Sequence, residues 1–201
     1  MTYTLKEKHA YENLGVEVFL YIHEKTKAQV VYVKTNDKNK TFGIGFKTPP
    51  TNSKGMAHIM EHSVLNGSKK YTTREPFMDM ASSSLQTFLN AMTYPDKTVY
   101  PVSSENDADF FNLTDVYLDA VFNPLVMTKK EILDQEGWHY EMDGDKITGV
   151  SGVVYNEMKG ALTDPDEIVY NDIISHLYKD SPYQYESGGD PAEIYKLSYD
   201  Q

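Results

Sequence analysis

The segment from Met56 to Leu65 is almost wholly apolar, and its polar positions include His58, Glu61 and His62. At 3.6 residues per turn, the two histidines lie about 40° apart around a helix axis, and Glu61 lies about 60° to the other side. The three side chains therefore share about a quarter of the helix surface. A helix this apolar is expected to be buried, and buried polar groups need partners. One metal ion would bind both imidazoles at once.

The residues around this segment give it boundaries. Pro49 and Pro50 end the stretch before it, and Ser53 is a plausible N-cap for the helix. Asn66 and Gly67 supply the stop signal at the other end. The pattern predicts a short, buried helix whose polar strip consists of the motif residues.

Strands and helices are both predicted elsewhere in the chain. Runs of β-branched and aromatic residues indicate an antiparallel meander of three strands, at 16–23, 28–34 and 41–47. Two more strands, joined around Pro95 and Asp96, are predicted at 85–94 and 97–103. Apolar spacing predicts helices at 76–83, 105–122, 128–140, 149–162 and 165–178.

Several of these helices carry capping signals. Thr128 is predicted as an N-cap, with Glu131 at the third helical position, which is a capping-box pattern. Gly137 is an alternative, earlier end for that helix. Near the end of the sequence, Asp190 is predicted as an N-cap, with Pro191 at the first helical position.

Composition excludes some functions. The chain has no cysteine, so any metal must be held by His, Asp or Glu. The formal charge of −11 argues against a nucleic-acid partner, whose binding face would be basic. The same charge suits a cationic peptide, although on charge alone simple solubility is the favoured explanation. Neither a membrane span nor a secretory signal is visible, which predicts a cytoplasmic protein without a membrane partner.

Two histidines leave a zinc ion short of a third protein ligand. The candidates are Glu136, three residues after Leu133, and Glu157, three residues after Val154, since both are expected to be buried on apolar helix faces. The residues themselves leave this choice open. With zinc bound, water ionises near neutral pH, and Glu61 is placed to exchange its proton. The alternative is a helix whose histidines only form hydrogen bonds in a core.

The segment HIMEH has the inverted zincin pattern H-x-x-E-H. Five further blocks follow it in order: LQTFLNAMTYPDKTVYPVSS, FFNLTDVYLDAVFNP, DQEGWHYE, GVVYNEMKG and SGGDP. Together they resemble the pitrilysin or insulinase family of zinc metallopeptidases, in its presequence protease and falcilysin branch. The resemblance runs from about Leu14 to the last residue. It implies an α+β fold, with helices packed on a mixed, largely antiparallel sheet, as in the first domain of a pitrilysin-like peptidase.

The resemblance also implies roles for single residues. His58, His62 and Glu157 correspond to the zinc ligands of the family, and Glu61 corresponds to its catalytic base. Glu136 then becomes a candidate for contacting the ligands without binding the metal. The implied function is a zinc-dependent endopeptidase.

Asn90 and Ala91 match the edge strand on which this family lays its substrate as an added β-strand. An edge that binds a peptide through its backbone favours unfolded chains and tolerates many sequences. The implied substrates are short unstructured oligopeptides, including presequence-like peptides. Such peptides are rich in arginine, so an acidic enzyme would attract them.

Relatives in this family are built from several similar domains in one long chain. We therefore expect residues 1–201 to be a single N-terminal catalytic domain, incomplete at its C-terminal end. The expected partners are peptide substrates and the remaining domains of a longer parent chain. The alternative function, above all for a truncated chain, is a zinc-binding but inactive peptide-binding or assembly domain.

Overall fold

The computed structural model describes residues 2–73 and 76–201. The chain divides into two compact units, Met1–Asn39 and Lys40–Gln201. Within the described ranges, no helix has the length and apolar character needed to cross a membrane.

The first unit is a three-stranded antiparallel sheet in the order β1-β2-β3, made of β1 (Tyr3–Tyr11), β2 (Val16–His23) and β3 (Gln29–Lys34). The last two strands were predicted. β1 was not predicted, because charged residues interrupt its apolar positions. Aromatic side chains pair across the strands, as in the contact of Phe19 with Tyr32 at 5.7 Å between ring centroids.

The second unit contains a four-stranded antiparallel sheet formed by β4 (Lys40–Lys47), β5 (Gln86–Leu89), β6 (Met92–Thr93) and β7 (Lys97–Ser104). β7 is central, with β4 on one side and β5 and β6 on the other. The predicted meander of three strands at 16–47 is therefore wrong at its third strand, since β4 pairs with β7 and not with β3. The reason is tertiary: β4 turns Phe42, Ile44 and Phe46 toward a core that it shares with β7.

The remaining elements lie in the second unit. Its helices are α1 (Met56–Val64), α2 (Pro76–Ser83), α3 (Asp107–Phe122), α4 (Lys130–Glu136), α5 (Val153–Ala161), α6 (Pro165–Leu177) and α7 (Pro191–Ile194). A two-stranded antiparallel hairpin of β8 (His139–Asp143) and β9 (Lys146–Ser151) connects α4 to α5. Short 3-10 helices occur at Glu12–Leu14, Leu125–Met127 and Pro182–Gln184.

The hairpin corrects two predicted helices, because residues 139–143 and 146–151 form strands. The helix predicted from Thr128 ends at Glu136, so the early break at Gly137 is confirmed. The N-cap predicted at Thr128 is wrong: its hydroxyl donates to the carbonyl of Leu125, and Lys129 occupies the N-cap position. The N-cap predicted at Asp190 is confirmed by a hydrogen bond from the amide of Ala192.

Two apolar clusters hold α1 in place. Ile59 is fully buried in a cluster with residues of α4, α5 and α7. Val64 and Leu65 belong to a second cluster, with Tyr117 of α3 and residues of β7. Met60 packs against both clusters. Because apolar side chains fix α1 from two directions, the orientation of its polar strip is set by the core.

Candidate metal centre

The polar strip of α1 is buried at His58 and Glu61, as the sequence predicts, whereas the side chain of His62 is 25% exposed. His58 is 8% exposed and Glu61 is 7% exposed. The predicted N-cap at Ser53 is wrong, because Gly55 occupies that position with φ +68°, a left-handed conformation that favours glycine. The helix ends at Val64, just before the predicted stop at Asn66 and Gly67.

His58, His62 and Glu157 converge on one point. The two imidazole rings lie 5.0 Å apart between centroids at an angle of 76°. The Nε2 atom of each histidine lies 3.6 Å from the same oxygen, Oε2 of Glu157. Each residue offers one ligand atom to the group, and these atoms all lie within 4.8 Å of one another. Within residues 2–73 and 76–201, this is the one group of three or more His, Asp or Glu side chains with that geometry.

The other ring nitrogens of the histidines face oxygen atoms. Nδ1 of His58 lies 2.9 Å from the carbonyl oxygen of Gly188. Nδ1 of His62 lies 3.4 Å from Oε2 of Glu136. An acceptor at Nδ1 favours the tautomer whose lone pair is on Nε2, which is the arrangement typical of metal-binding histidines. Both Nε2 atoms are therefore available on the side where Glu157 lies.

The two candidate glutamates differ in burial. Glu136 is 5% exposed, as predicted, and one of its oxygens accepts a hydrogen bond from the side chain of Gln135. Glu157 was expected to be buried, and this is wrong, since its side chain is 52% exposed. The buried residues of α5 are Val154 and Met158, and Glu157 instead projects into a cleft between the helices. The structure thus places the exposed Glu157 beside both Nε2 atoms, and the buried Glu136 beside Nδ1 of His62.

Glu61 lies beside the convergence point with its carboxylate oriented by a hydrogen bond. The hydroxyl of Thr93 in β6 donates to Oε2 of Glu61 at 2.8 Å. Burial, together with the charge of Glu61, raises the pKa of Tyr100 and Tyr117 well above the ordinary value for a phenol. Both phenols therefore stay neutral at physiological pH.

The charges around His62 favour a cation. Burial lowers the pKa of His62, but its contact with Glu136 and the charges of Glu61 and Glu157 outweigh burial, and the resulting pKa lies above the ordinary value. Two imidazoles and a carboxylate form a donor set that suits zinc, and the chain has no cysteine to supply a softer ligand. The residues present therefore fit a zinc ion.

The convergence point opens into a cleft of about 980 Å³. Asn90 and Ala91 line this cleft and connect β5 to β6, at the side of the sheet away from β4. The carbonyl of Asn90 accepts a hydrogen bond from the hydroxyl of Tyr117 at 3.1 Å. The amide of Ala91 donates to the side-chain oxygen of Asn90 at 2.9 Å. All the predicted site residues thus lie around one cleft.

Sequence reasoning missed Thr93, Gly188 and Glu186, which also line the cleft. Thr93 lies 32 residues from the glutamate that it contacts, and Gly188 lies 130 residues from its histidine. Thr93 lies in the block LQTFLNAMTYPDKTVYPVSS and Gly188 in the block SGGDP, both of which carry the resemblance, and Glu186 directly precedes SGGDP. Their position in or beside these blocks was the available signal.

The amino-acid sequence of this chain matches that of a known protein family. The profile of the insulinase family, peptidase family M16, matches residues 41–187, which is more than half of the chain. The chain belongs to the insulinase family. The match includes α1 with its histidines, the edge formed by β5 and β6, and α5 with Glu157.

Relatives in the insulinase family include presequence proteases. Presequence protease 1, chloroplastic/mitochondrial, of Arabidopsis thaliana is 48% identical over 186 residues, which are 92% of this chain and 17% of that protein. Protein HypA of Clostridium perfringens is 56% identical over 181 residues, which are 89% of this chain and 18% of that protein. The chain therefore spans less than a fifth of the length of these relatives.

A solved structure supports the fold. The crystal structure of pitrilysin superposes with a TM-score of 0.68 over 96% of this chain and 19% of that chain, at 20% sequence identity. At that identity the similarity concerns the fold, and it confirms the α+β class that the resemblance implied.

Proposed function

We propose that this chain carries the zinc site of an endopeptidase that hydrolyses short unstructured peptides. The observation that supports it most is the convergence of His58 Nε2, His62 Nε2 and a Glu157 oxygen beside the buried carboxylate of Glu61. Membership of a peptidase family supports the same reaction class.

In this proposal His58, His62 and Glu157 hold one zinc ion. When bound, zinc acts as a Lewis acid that polarises a peptide carbonyl and makes water nucleophilic near neutral pH. Glu61 takes a proton from the attacking water and then gives it to the leaving amine. Thr93 orients the Glu61 carboxylate through its hydroxyl. Glu136 contacts Nδ1 of His62, orients its ring and does not bind the metal.

The substrate in this proposal is an extended peptide that adds to the sheet edge at Asn90 and Ala91. Both residues share a cleft with the metal ligands, which supports this placement. The amide of Ala91 is held by the side chain of Asn90, so a peptide carbonyl would replace that side-chain oxygen as the acceptor. Recognition through backbone groups would explain activity on peptides of varied sequence, including presequence-like ones.

The setting of this site is also proposed. We propose that residues 1–201 act as the N-terminal catalytic domain of a longer chain, incomplete at its C-terminal end, whose remaining domains are its partners. We propose no nucleic-acid or membrane partner, on the grounds of charge and hydropathy. The presequence proteases among the relatives are named for mitochondria or chloroplasts, whereas a cytoplasmic location is what this sequence predicts.

One observation favours a second function for the chain by itself. The chain spans 17% to 18% of the two relatives described above. A piece of this size that holds zinc and binds peptides without cleaving them is the alternative, as an inactive peptide-binding or assembly domain.

The substitution Glu61→Gln separates these functions when it is made in the intact protein. It removes the base but leaves the three ligands, so we expect full zinc content and loss of cleavage of a quenched fluorescent peptide. Glu131→Gln, at an exposed position of α4, is the matched control and should keep both the zinc content and the peptide cleavage of the unmodified protein. Near-normal cleavage by Glu61→Gln would rule out the proposed mechanism. Zinc binding without cleavage in the unmodified protein would favour the inactive domain.

A further inference from the structure

His58 is oriented by a loop that is distant from it in sequence. Its Nδ1 atom lies 2.9 Å from the carbonyl oxygen of Gly188, in the segment between α6 and α7. Because His58 is 8% exposed, water has little access to compete for this contact. The position of one backbone carbonyl therefore sets which nitrogen of His58 faces Glu157.

The Gly188 carbonyl is in turn fixed by a network around Glu186. One oxygen of the Glu186 side chain accepts a hydrogen bond from the amide of Gly188 at 2.9 Å. The amide of Glu186 donates to the hydroxyl of Ser53 at 3.2 Å, and the amide of Asp190 donates to the carbonyl of Ser53 at 2.8 Å. The loop is thus tied at both ends to the segment that leads into α1.

Glycines allow the loop to approach α1 closely. A Cβ atom added to Gly55, at the N-cap of α1, would lie 2.7 Å from the carbonyl oxygen of Gly188 and 2.9 Å from the Cα atom of Gly189. Contacts this short require the backbone to move. The carbonyl that faces His58 therefore packs directly against the start of the helix that carries His58.

Glu186 lines the cleft, so a direct role as a ligand or substrate-binding group has to be weighed. The donor group formed by His58, His62 and Glu157 does not include it. Its carboxylate is half-buried and already accepts the amide of Gly188. Its contacts thus point to an action through the backbone of the loop.

We infer that Glu186 is a positioning residue for the metal site: it holds the Gly188 carbonyl against His58 Nδ1 and so directs His58 Nε2 toward the metal. This inference rests on the proposed zinc site. Ser53 assists by holding the two ends of the loop. A group of this kind, which orients a ligand without binding the metal, typically changes metal affinity by about 10- to 100-fold when removed.

Two substitutions of Glu186 test this inference in the intact protein. Glu186→Ala removes the acceptor, whereas Glu186→Gln keeps an oxygen that can accept the Gly188 amide but removes the charge. Zinc affinity, measured by competition with a chromogenic chelator, should fall by about 10- to 100-fold in Glu186→Ala and stay close to the unmodified value in Glu186→Gln. Equal losses in both variants would assign the effect to charge and overturn the inference. So would unchanged affinity in Glu186→Ala.

Two glycine substitutions test the packing of the Gly188 carbonyl against the start of α1. Gly55→Ala pushes against the Gly188 carbonyl, whereas Gly144→Ala has a similar backbone strain at φ +59° but open space around it. We expect Gly55→Ala alone to weaken zinc binding, with both variants compared at a temperature where circular dichroism shows them folded. Equal zinc affinity in the two would contradict the role of the loop. If Gly55→Ala does not fold, the Glu186 pair still decides the question.

The metal-free protein gives a readout that does not depend on zinc. Nitrogen-15 chemical shifts should show His58 protonated on Nδ1, with that preference kept in Glu186→Gln and reduced in Glu186→Ala. A protein that binds no zinc but shows this pattern would contradict the proposed function while supporting the orientation of His58 by Glu186. If the protein binds zinc but His58 has the same tautomer in the unmodified protein, Glu186→Gln and Glu186→Ala, the proposed function is supported and the positioning role is overturned.

Discussion

At the scale of single residues, the site depends on which group faces the Nδ1 atom of each histidine. His58 faces a backbone carbonyl, and His62 faces the carboxylate of Glu136. A carboxylate strengthens the imidazole as a ligand more than a carbonyl does, because its negative charge stabilises the N–H dipole and any positive charge that develops on the ring. The two histidines are therefore not equivalent, and their supports should respond differently to substitution.

The substitution Glu136→Gln should weaken zinc binding by about 10- to 100-fold. It removes the negative charge behind His62, and the new amide can also present its NH₂ group to Nδ1 and favour the wrong tautomer. Isothermal titration with zinc measures the change. Glu131→Gln, on the same helix but exposed, is the control. Unaltered affinity in Glu136→Gln would show that the contact at 3.4 Å does not support the ligand.

Some of the site residues can be predicted from the sequence and others cannot. The spacing of His58, Glu61 and His62 places them on one helix face whatever the rest of the chain does. The choice between Glu136 and Glu157 depends on which of them the core covers, and the expectation of burial was right for the first and wrong for the second. Thr93 and Gly188 act from other elements, and local periodicity carries no information about such contacts.

At the scale of elements, local signals succeed where a side chain caps its own helix. The aspartates at 164 and 190 each precede a proline and accept an amide of their helix, and the cap at 190 was predicted from this pattern. Ser53 and Thr128 fail as caps because tertiary contacts or other local bonds use their hydroxyls. The pairing of β4 with β7 also lies beyond local signals, since its partner strand is about 50 residues away.

Asp119 of α3 fastens the segment that follows α1. Its carboxylate accepts the amide of Lys70 at 2.7 Å and the side-chain amide of Asn123 at 2.9 Å. Burial raises the pKa of Asp119, but hydrogen bonds from Ser68, Lys70 and Asn123 outweigh burial, and its pKa is lowered. A lowered pKa means that the ionised form stabilises the folded state.

The substitution Asp119→Ala should reduce the free energy of unfolding by about 0.5–1.5 kcal/mol at pH 7, since it removes hydrogen bonds whose exposed donors can then bond to water. The stabilising effect of the charge is fully present above the unfolded pKa of about 3.9 and is lost as the pH falls through the lower folded value. The difference between the two proteins in urea unfolding should therefore shrink below about pH 4. Asp145→Ala, in the exposed turn of the β8–β9 hairpin, is the control. A difference that stays constant down to pH 2 would contradict this account.

At the scale of the whole molecule, the net charge of −11 bears on the choice of substrate. The cleft itself is lined by carboxylates, including Glu157, Glu167 and Glu186. A negative cleft raises the local concentration of cationic peptides and speeds their association. Salt weakens this attraction, since the screening length falls from about 10 Å at 0.1 M to about 3 Å at 1 M ionic strength.

Cleavage of an arginine-rich peptide should therefore decline with added salt more steeply than cleavage of a neutral peptide of equal length. The comparison uses kcat/KM for both peptides at several sodium chloride concentrations. The effect should appear mainly in KM, because salt alters encounter and binding and should leave the proposed proton transfer by Glu61 unchanged. Parallel salt dependences for the two peptides would show that net charge serves solubility alone.

The most direct test of the central claim is the zinc content of the purified protein, measured by atomic emission spectroscopy after dialysis against metal-free buffer. The account predicts one zinc per chain in the unmodified protein and in His139→Ala, whose histidine lies outside the donor group. It predicts almost none in His58→Ala or His62→Ala. Zinc retained at full occupancy by either of these variants, or absent from the unmodified protein after reconstitution, would contradict the account.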